Sequence, residues 1–329
     1  MDTHALSSVK AQASLQHLPV NLFASVMGTS GLALCWRIAH QHYGAPSWLG
    51  ELISIIALAM FAVLAVAYLG KWALYPDAVK HEFNHPVSGN FFGTITISLL
   101  LLSAVLDPYS KDLSQGLWTL GVVTTLALGV VVVRRLLNGE AGPMASLPAW
   151  LIPGVASLDI AVAGANMPME WAPEVNLFAV AIGTTLALLF LSFIVQRLIQ
   201  HEPLALGMRP SLMILIAPFE VGFLGYINLM GEIDRFAALL FYFGLFMFIV
   251  LLPKVFCREV IRMPFVPAWW AISFPLAALC LAALKYAELR ALLPLQVIAG
   301  SLLIFLSVAI AVLMVQTFRI LISGKLLLG

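Results

Sequence analysis

Apolar positions along this chain fall into ten long runs divided by short polar breaks. The runs cover roughly 19–40, 48–72, 86–107, 113–137, 147–166, 174–199, 209–230, 232–253, 266–286 and 294–322. Each holds about the 20 residues that an α-helix needs to cross a hydrocarbon core. The pattern predicts an all-α integral membrane protein of ten transmembrane helices. One membrane domain spans 19–322, between a short tail at 1–18 and another at 323–329. No break is long enough for a soluble domain, and the polar first 18 residues do not read as a cleavable signal peptide.

Lysine and arginine orient the runs. Lys10, Lys71, Lys80, Arg134, Arg135, Arg197, Arg209, Lys254, Arg258, Arg262, Arg319 and Lys325 fall on the side of the termini. Arg37, Lys111, Arg235, Lys285 and Arg290 fall on the other. The positive-inside bias therefore predicts cytoplasmic N- and C-termini.

A repeat of about 60 residues underlies the runs. Every odd run opens on a proline step: Leu18-Pro19-Val20, His85-Pro86-Val87, Leu147-Pro148-Ala149, Arg209-Pro210-Ser211 and Val266-Pro267-Ala268. The period is that of two membrane helices with their loops, so the chain reads as five consecutive helical hairpins. Pro153, Pro218 and Pro275 are expected to interrupt odd helices, whereas even helices are expected to lack interior prolines and the opening proline step. Gly28, Gly31, Gly93, Gly154 and Gly222 also lie on odd runs. Broken backbone at membrane depth is tolerated where it is buried in protein or lines a cavity. Five odd helices inside, around a pathway, and five even helices outside, against lipid, follow as the expectation. An ordinary bundle kinked for packing is the alternative.

Composition agrees. Hydrophobic residues make up 62% of 329 positions, charged ones 10%, and mean hydropathy is +1.00. Soluble domains carry about 25% charged residues. The net charge of +1 offers nothing to nucleic acid. Cys35, Cys257 and Cys280 lie in or beside apolar runs without metal-ligand spacing and read as small buried hydrophobes.

The odd runs resemble a known family, that of the bacterial tellurite-resistance protein TehA and the plant slow-type anion channels, which extends to dicarboxylate and sulfite transporters. The matching stretches run from Leu18-Pro19 through Gly28-Thr29 to Trp36-Arg37, then His85-Pro86-Val87, Ile152-Pro153-Gly154-Val155-Ala156, Ala217-Pro218, and Ala268-Trp269-Trp270-Ala271-Ile272-Ser273-Phe274-Pro275. Their order and spacing, more than any one of them, carry the likeness. It implies quasi-fivefold symmetry about a central pore, a homotrimer with one pore per subunit, and a bacterial inner (plasma) membrane location. It also implies that the ring of Phe274 occludes the pore. The resulting expectation is a gated channel for small monovalent anions such as chloride and nitrate, without cofactor or metal. A proton-coupled transporter of dicarboxylate, sulfite or tellurite-type oxyanions is the alternative.

No lysine or arginine falls mid-way along an odd run. Anions would be favoured by half-helix dipoles and by the hydroxyls of Ser25, Thr29, Ser30, Ser88, Thr94, Thr96 and Ser157. Selectivity is then expected to follow ease of dehydration. Asp159 and Glu220 sit roughly 15 Å into the membrane, at matching points of successive repeats. Acids at that depth are functional candidates. Protonated, they would donate hydrogen bonds, either to transported ions as a titrating pair or to a neighbouring carbonyl as structure. The likeness predicts small or apolar residues there. His81, Glu82 and His85 read as a solvated loop rather than a metal site. An enzyme would need a nucleophile–base or metal constellation, which the sequence lacks. A purely structural scaffold would have no use for kinked inner helices.

Overall fold

The computed structural model describes residues 14–139 and 146–327. The N-terminal tail through residue 13, including Lys10, lies outside them. The described chain is helical throughout its membrane part. The odd runs become α1 (Phe23–Tyr43), α4 (Gly93–Leu106), α6 (Leu151–Gly164), α8 (Ala217–Met230) and α11 (Ser273–Arg290). The even runs become α2 (Ser47–Leu74), α5 (Lys111–Leu137), α7 (Ala172–Gln200), α9 (Arg235–Val255) and α12 (Leu293–Ile322). Two short helices, α3 (Pro76–Asn84) and α10 (Arg258–Ile261), lie in the connections.

The odd helices form a closed ring. α1 packs on α4, α4 on α6, α6 on α8, α8 on α11, and α11 back on α1. Each even helix lies against its own hairpin partner and the next ring member, with α12 closing the circuit on α11 and α1. Burial follows: the apolar windows of the odd spans Val20–Tyr43, Ser88–Leu106, Leu206–Met230 and Pro267–Arg290 are 72–83% buried, and those of the even spans 17–33%. Odd helices are therefore inner and even helices outer.

Every inner helix has two parts. A 3₁₀ segment leads each α-helix: Val20–Leu22, Ser88–Phe92, Pro148–Trp150, Leu206–Ile216 and Pro267–Ile272. These leaders also touch one another in a closed circuit at one end of the ring. Pro153, Pro218 and Pro275 mark the changeover, as the third, second and third residues of their α-helices. Proline has no N–H for the carbonyl four residues back, so an α-ladder cannot extend N-terminally through it, while it fits the first turn. The expected mid-helix interruptions are thus helix beginnings. The rise of about 2 Å per 3₁₀ residue brings the shortest inner span, Pro148–Gly164, to roughly 27 Å, near the core thickness.

Two sequence expectations about the outer helices are corrected. Pro253 lies inside α9, which continues to Val255. Opening prolines are not confined to inner helices, because Pro46 precedes α2 and Pro173 and Pro294 sit in the first turns of α7 and α12. The 3₁₀ leader, not the proline, distinguishes the two classes.

Candidate functional site

The α-helical beginnings of the five inner helices come to one level. Ala24, Thr94, Ile152, Ala217 and Phe274, each the first or second residue of its α-helix, line a common cavity. Met27, Ile97 and Val155 line it one turn further on, and Phe91, Ile214 and Trp270 line it from the leaders. All five helices contribute, so this cavity lies inside the ring. Its volume is about 20 Å³, room for roughly one water. Phe274 is buried beside Pro275 in this wall.

The wall is almost wholly apolar. Thr94 is its one hydroxyl residue, and its Oγ1 donates to the Phe91 carbonyl at 2.6 Å. An ion at this level would shed water and find no free donor, which is how hydrophobic constrictions gate.

Other hydroxyls are tied to their own helices. Ser25 donates to Leu22 O at 2.6 Å, Thr29 to Ser25 O at 2.7 Å, Thr96 to Gly93 O at 3.1 Å and Ser157 to Pro153 O at 3.3 Å. Each hydroxyl has a single proton, so these bonds occupy the donors that sequence reasoning assigned to anions. Ser30 is different: its Oγ is buried without a partner.

The glycines sit at helix contacts rather than on the cavity. A side chain on Gly28 would strike Ser273, and one on Gly31 would meet Ala277 Cβ at 2.6 Å, so both let α1 and α11 approach closely. Gly93 does the same for α4 against Ile152 of α6 (2.8 Å), and Gly154 for α6 against the Ala187 backbone of α7 (3.1 Å). Gly222 faces Leu240 of α9 at 4.0 Å. Small residues at such contacts are how membrane helices pack closely.

Asp159 and Glu220 part company. Asp159 follows the cavity residues Ile152 and Val155 at i+7 and i+4, which places it on the same stripe of α6. Glu220 points outward instead, its carboxylate against Gly244 of α9. Measured from the cavity level, Asp159 lies seven residues beyond Ile152 and Glu220 three beyond Ala217, an offset of about 6 Å. The expected matching depth is therefore corrected. Both are buried, and among the described residues Asp159 Oδ2 and both Glu220 oxygens lack hydrogen-bond partners, so no bond joins them.

One constellation was misread in sequence. His81 and Glu82 lie on α3, not in a solvated loop. Glu82 accepts from Val20 N–H at 2.8 Å, Tyr68 OH at 2.9 Å and Lys71 Nζ at 2.6 Å, and Lys71 also donates to Leu18 O at 2.8 Å. This pair locks the first leader to α2 and α3. Lysine buried at the end of an apolar run, eleven residues before a carboxylate, was the available signal. At the opposite end Arg37 binds Glu51 (3.2 Å), Val105 O (2.7 Å) and Tyr109 OH (3.2 Å), joining α1 and α2 to the last turn of α4 and the chain just after it. Among the described residues no cluster of His, Cys, Asp and Glu suits a metal ion.

Comparison with known proteins locates the chain. Residues 17–318 match the family SLAC1, described as voltage-dependent anion channel. The S-type anion channel SLAH3 of Arabidopsis thaliana is 25% identical over 282 residues, 83% of this chain but 44% of SLAH3. The S-type anion channel SLAH1 of the same plant is 28% identical over 85% of this chain and 75% of its own length. The tellurite resistance protein TehA homolog of Haemophilus influenzae is 23% identical over 94% of this chain and 93% of its own.

Proposed function

The chain belongs to the SLAC1 family of voltage-dependent anion channels, and from that premise we propose that it is a gated channel for small monovalent anions such as chloride and nitrate. Anions cross along the axis of the inner ring, and Phe274 closes the way. The observation that carries this reading is the single level at which all five inner helices meet around Phe274, in a cavity of about 20 Å³. The closed ring of hairpins is what quasi-fivefold symmetry would give. We place the chain, as a homotrimer with one pathway per subunit, in a bacterial inner membrane with cytoplasmic termini and the leaders on that face. The five inner helices start on one side, so their dipoles are parallel and their positive ends point toward the leader side. That supports anion entry there without a fixed charge on the axis. Selectivity by dehydration predicts nitrate above chloride above fluoride. The test is current or liposome flux of wild type beside Phe274→Ala in chloride and nitrate. A large rise in the variant supports the reading, and silence from both proteins overturns it.

A second reading rests on Asp159. A carboxyl on the axial stripe of α6 with an unpartnered oxygen is the group a proton-coupled transporter of dicarboxylate, sulfite or tellurite-type oxyanions would use. Glu220, turned to α9, fits the structural role better. Flux driven by a proton gradient, abolished in Asp159→Asn, would select this reading over the passive one.

A further inference from the structure

Between α5 and α7, on the outer surface, a cleft runs from the middle of the membrane to the leader end. Its middle part is an apolar groove of about 570 Å³, walled by Gly129, Val130 and Val133 of α5 and by Ala181, Ile182 and Thr185 of α7. A Cβ built on Gly129 would meet nothing within 4 Å. Toward the leaders the same two helices border polar spaces of about 60 and 370 Å³, both lined by Leu136 and Trp150. Arg135, Asn84 and Asn90 line the smaller, and Arg197, Gln196 and His201 the larger.

This end holds buried donors. Arg197 and Trp150 are each 7% exposed, yet among the described residues Arg197 Nε and Trp150 Nε1 have no acceptor. Among the described residues Arg197 Nη1 donates to the Glu202 carbonyl, and Arg135 to Phe83 O and Asn84 Oδ1. All three acceptors are neutral, and neither guanidinium pairs with a carboxylate among the described residues. Among the described residues, two guanidinium groups without a carboxylate partner and an indole N–H without an acceptor thus line the leader end of this cleft. From Ala181 to Arg197 the cleft spans sixteen residues of α7, roughly 24 Å, about one leaflet of a 40–45 Å bilayer.

We propose that this cleft binds an anionic phospholipid, its phosphate held by Arg135, Arg197 and Trp150 and an acyl chain laid along Gly129 and Val133. Basic pockets between membrane helices bind such headgroups. The groove accounts for the tail, which an inorganic anion lacks.

The test uses the full chain in detergent. Retention of dioleoyl phosphatidylglycerol and dioleoyl phosphatidylcholine is compared by native mass spectrometry, and the rise in unfolding temperature on adding each is measured. Phosphatidylglycerol should be retained and stabilise the protein, and phosphatidylcholine should not. Arg197→Gln should weaken phosphatidylglycerol about tenfold, the scale of one charge-assisted hydrogen bond. Gly129→Leu, whose Cβ meets no protein atom within 4 Å and whose side chain would occupy the groove, should weaken it while leaving any binding of inorganic phosphate unchanged. Equal retention of the two lipids overturns the proposal. So does phosphatidylglycerol binding that Gly129→Leu leaves intact, which would make the site one for free anions. A change of oligomeric state in Gly129→Leu without loss of lipid would make the groove an interface between copies, and also overturns it. Should Arg197→Gln fail to fold, Gly129→Leu alone decides.

Discussion

The buried inner helices are less apolar than the outer helices that face lipid. In water-soluble proteins the order is reversed. α11 carries Ser273, Ala277, Ala278, Cys280, Ala282 and Ala283, whereas α12 presents Val297, Ile304, Val308, Val312 and Phe318 outward. A hydrocarbon solvent gives apolar side chains no reason to leave it, so helix association in the membrane depends on close packing through small residues. The comparison also separates two uses of proline. At Pro153, Pro218 and Pro275 it switches an inner helix from 3₁₀ to α at the level of the cavity, while in α7 and α12 it merely starts a helix.

The most forceful way to break this contrast is to truncate one phenylalanine from each class. Phe274→Ala should raise anion conductance on the order of tenfold or more, as lowering a barrier by about 1.4 kcal/mol would. Phe246→Ala, on the exposed face of α9, should leave conductance unchanged. A conductance effect from Phe246 equal to that from Phe274 would remove the distinction between pathway and lipid face.

The junction between leader and outer helix comes next. Lys71→Met leaves Glu82 partly buried without its cation, and breaking such a pair costs about 3–5 kcal/mol. A clear fall in detergent unfolding temperature, partly restored by adding Glu82→Met, is the expected result. Glycine sharpens the comparison further. Gly31→Val should destabilise by about 1–3 kcal/mol, because α1 and α11 must separate to admit it. Gly300→Val in α12, where an added Cβ meets nothing within 4 Å, should leave the unfolding temperature almost unmoved.

Asp159 and Glu220 compare an axial with an outward-facing acid. Asp159→Asn should alter the pH profile of flux between pH 5.5 and 7.5, and Glu220→Gln should alter stability with the profile retained. The reverse assignment would show that the axial stripe is not the titrating surface. The smallest effect is expected in a loop. Asp234 caps α9 by accepting from Ala237 N–H at 2.9 Å, and Tyr226 OH donates to it at 2.7 Å. These bonds, the backbone one foremost, hold its carboxyl below the usual range. Its stabilising contribution is therefore complete above the ordinary aspartate pKa of about 3.9 and fades as pH falls through the depressed folded value. Asp234→Ala should lower the unfolding temperature slightly at pH 7 and less at pH 3.

Much of this was legible in the sequence. The spans, the pairing into hairpins and the inner–outer division follow from run length, the period of about 60 and the prolines of the odd runs. Phe274 was legible only through the likeness of Ser273-Phe274-Pro275 to a known family, since 20 phenylalanines share its chemistry. The glycines were identified, but their neighbours were not: whether Gly28 bounds a cavity or receives Ser273 depends on the rotation of α1. Glu82 read as solvated because only Lys71, eleven residues earlier, hinted at a partner, and nothing local reveals that the Val20 amide arrives beside it.

Hydropathy, charge bias and proline spacing belong to residues and their order, so the sequence alone determined that the chain crosses the membrane about ten times and which helices face lipid. Direction belongs to packing. Only the tertiary structure decided that prolines begin the α-helices, that Glu220 turns outward while Asp159 follows the cavity stripe, and that two arginines face an open cleft between α5 and α7. A side chain's azimuth on its helix is set by what the neighbouring helices leave vacant, and in an apolar solvent the hydrophobic pattern is nearly blind to that choice.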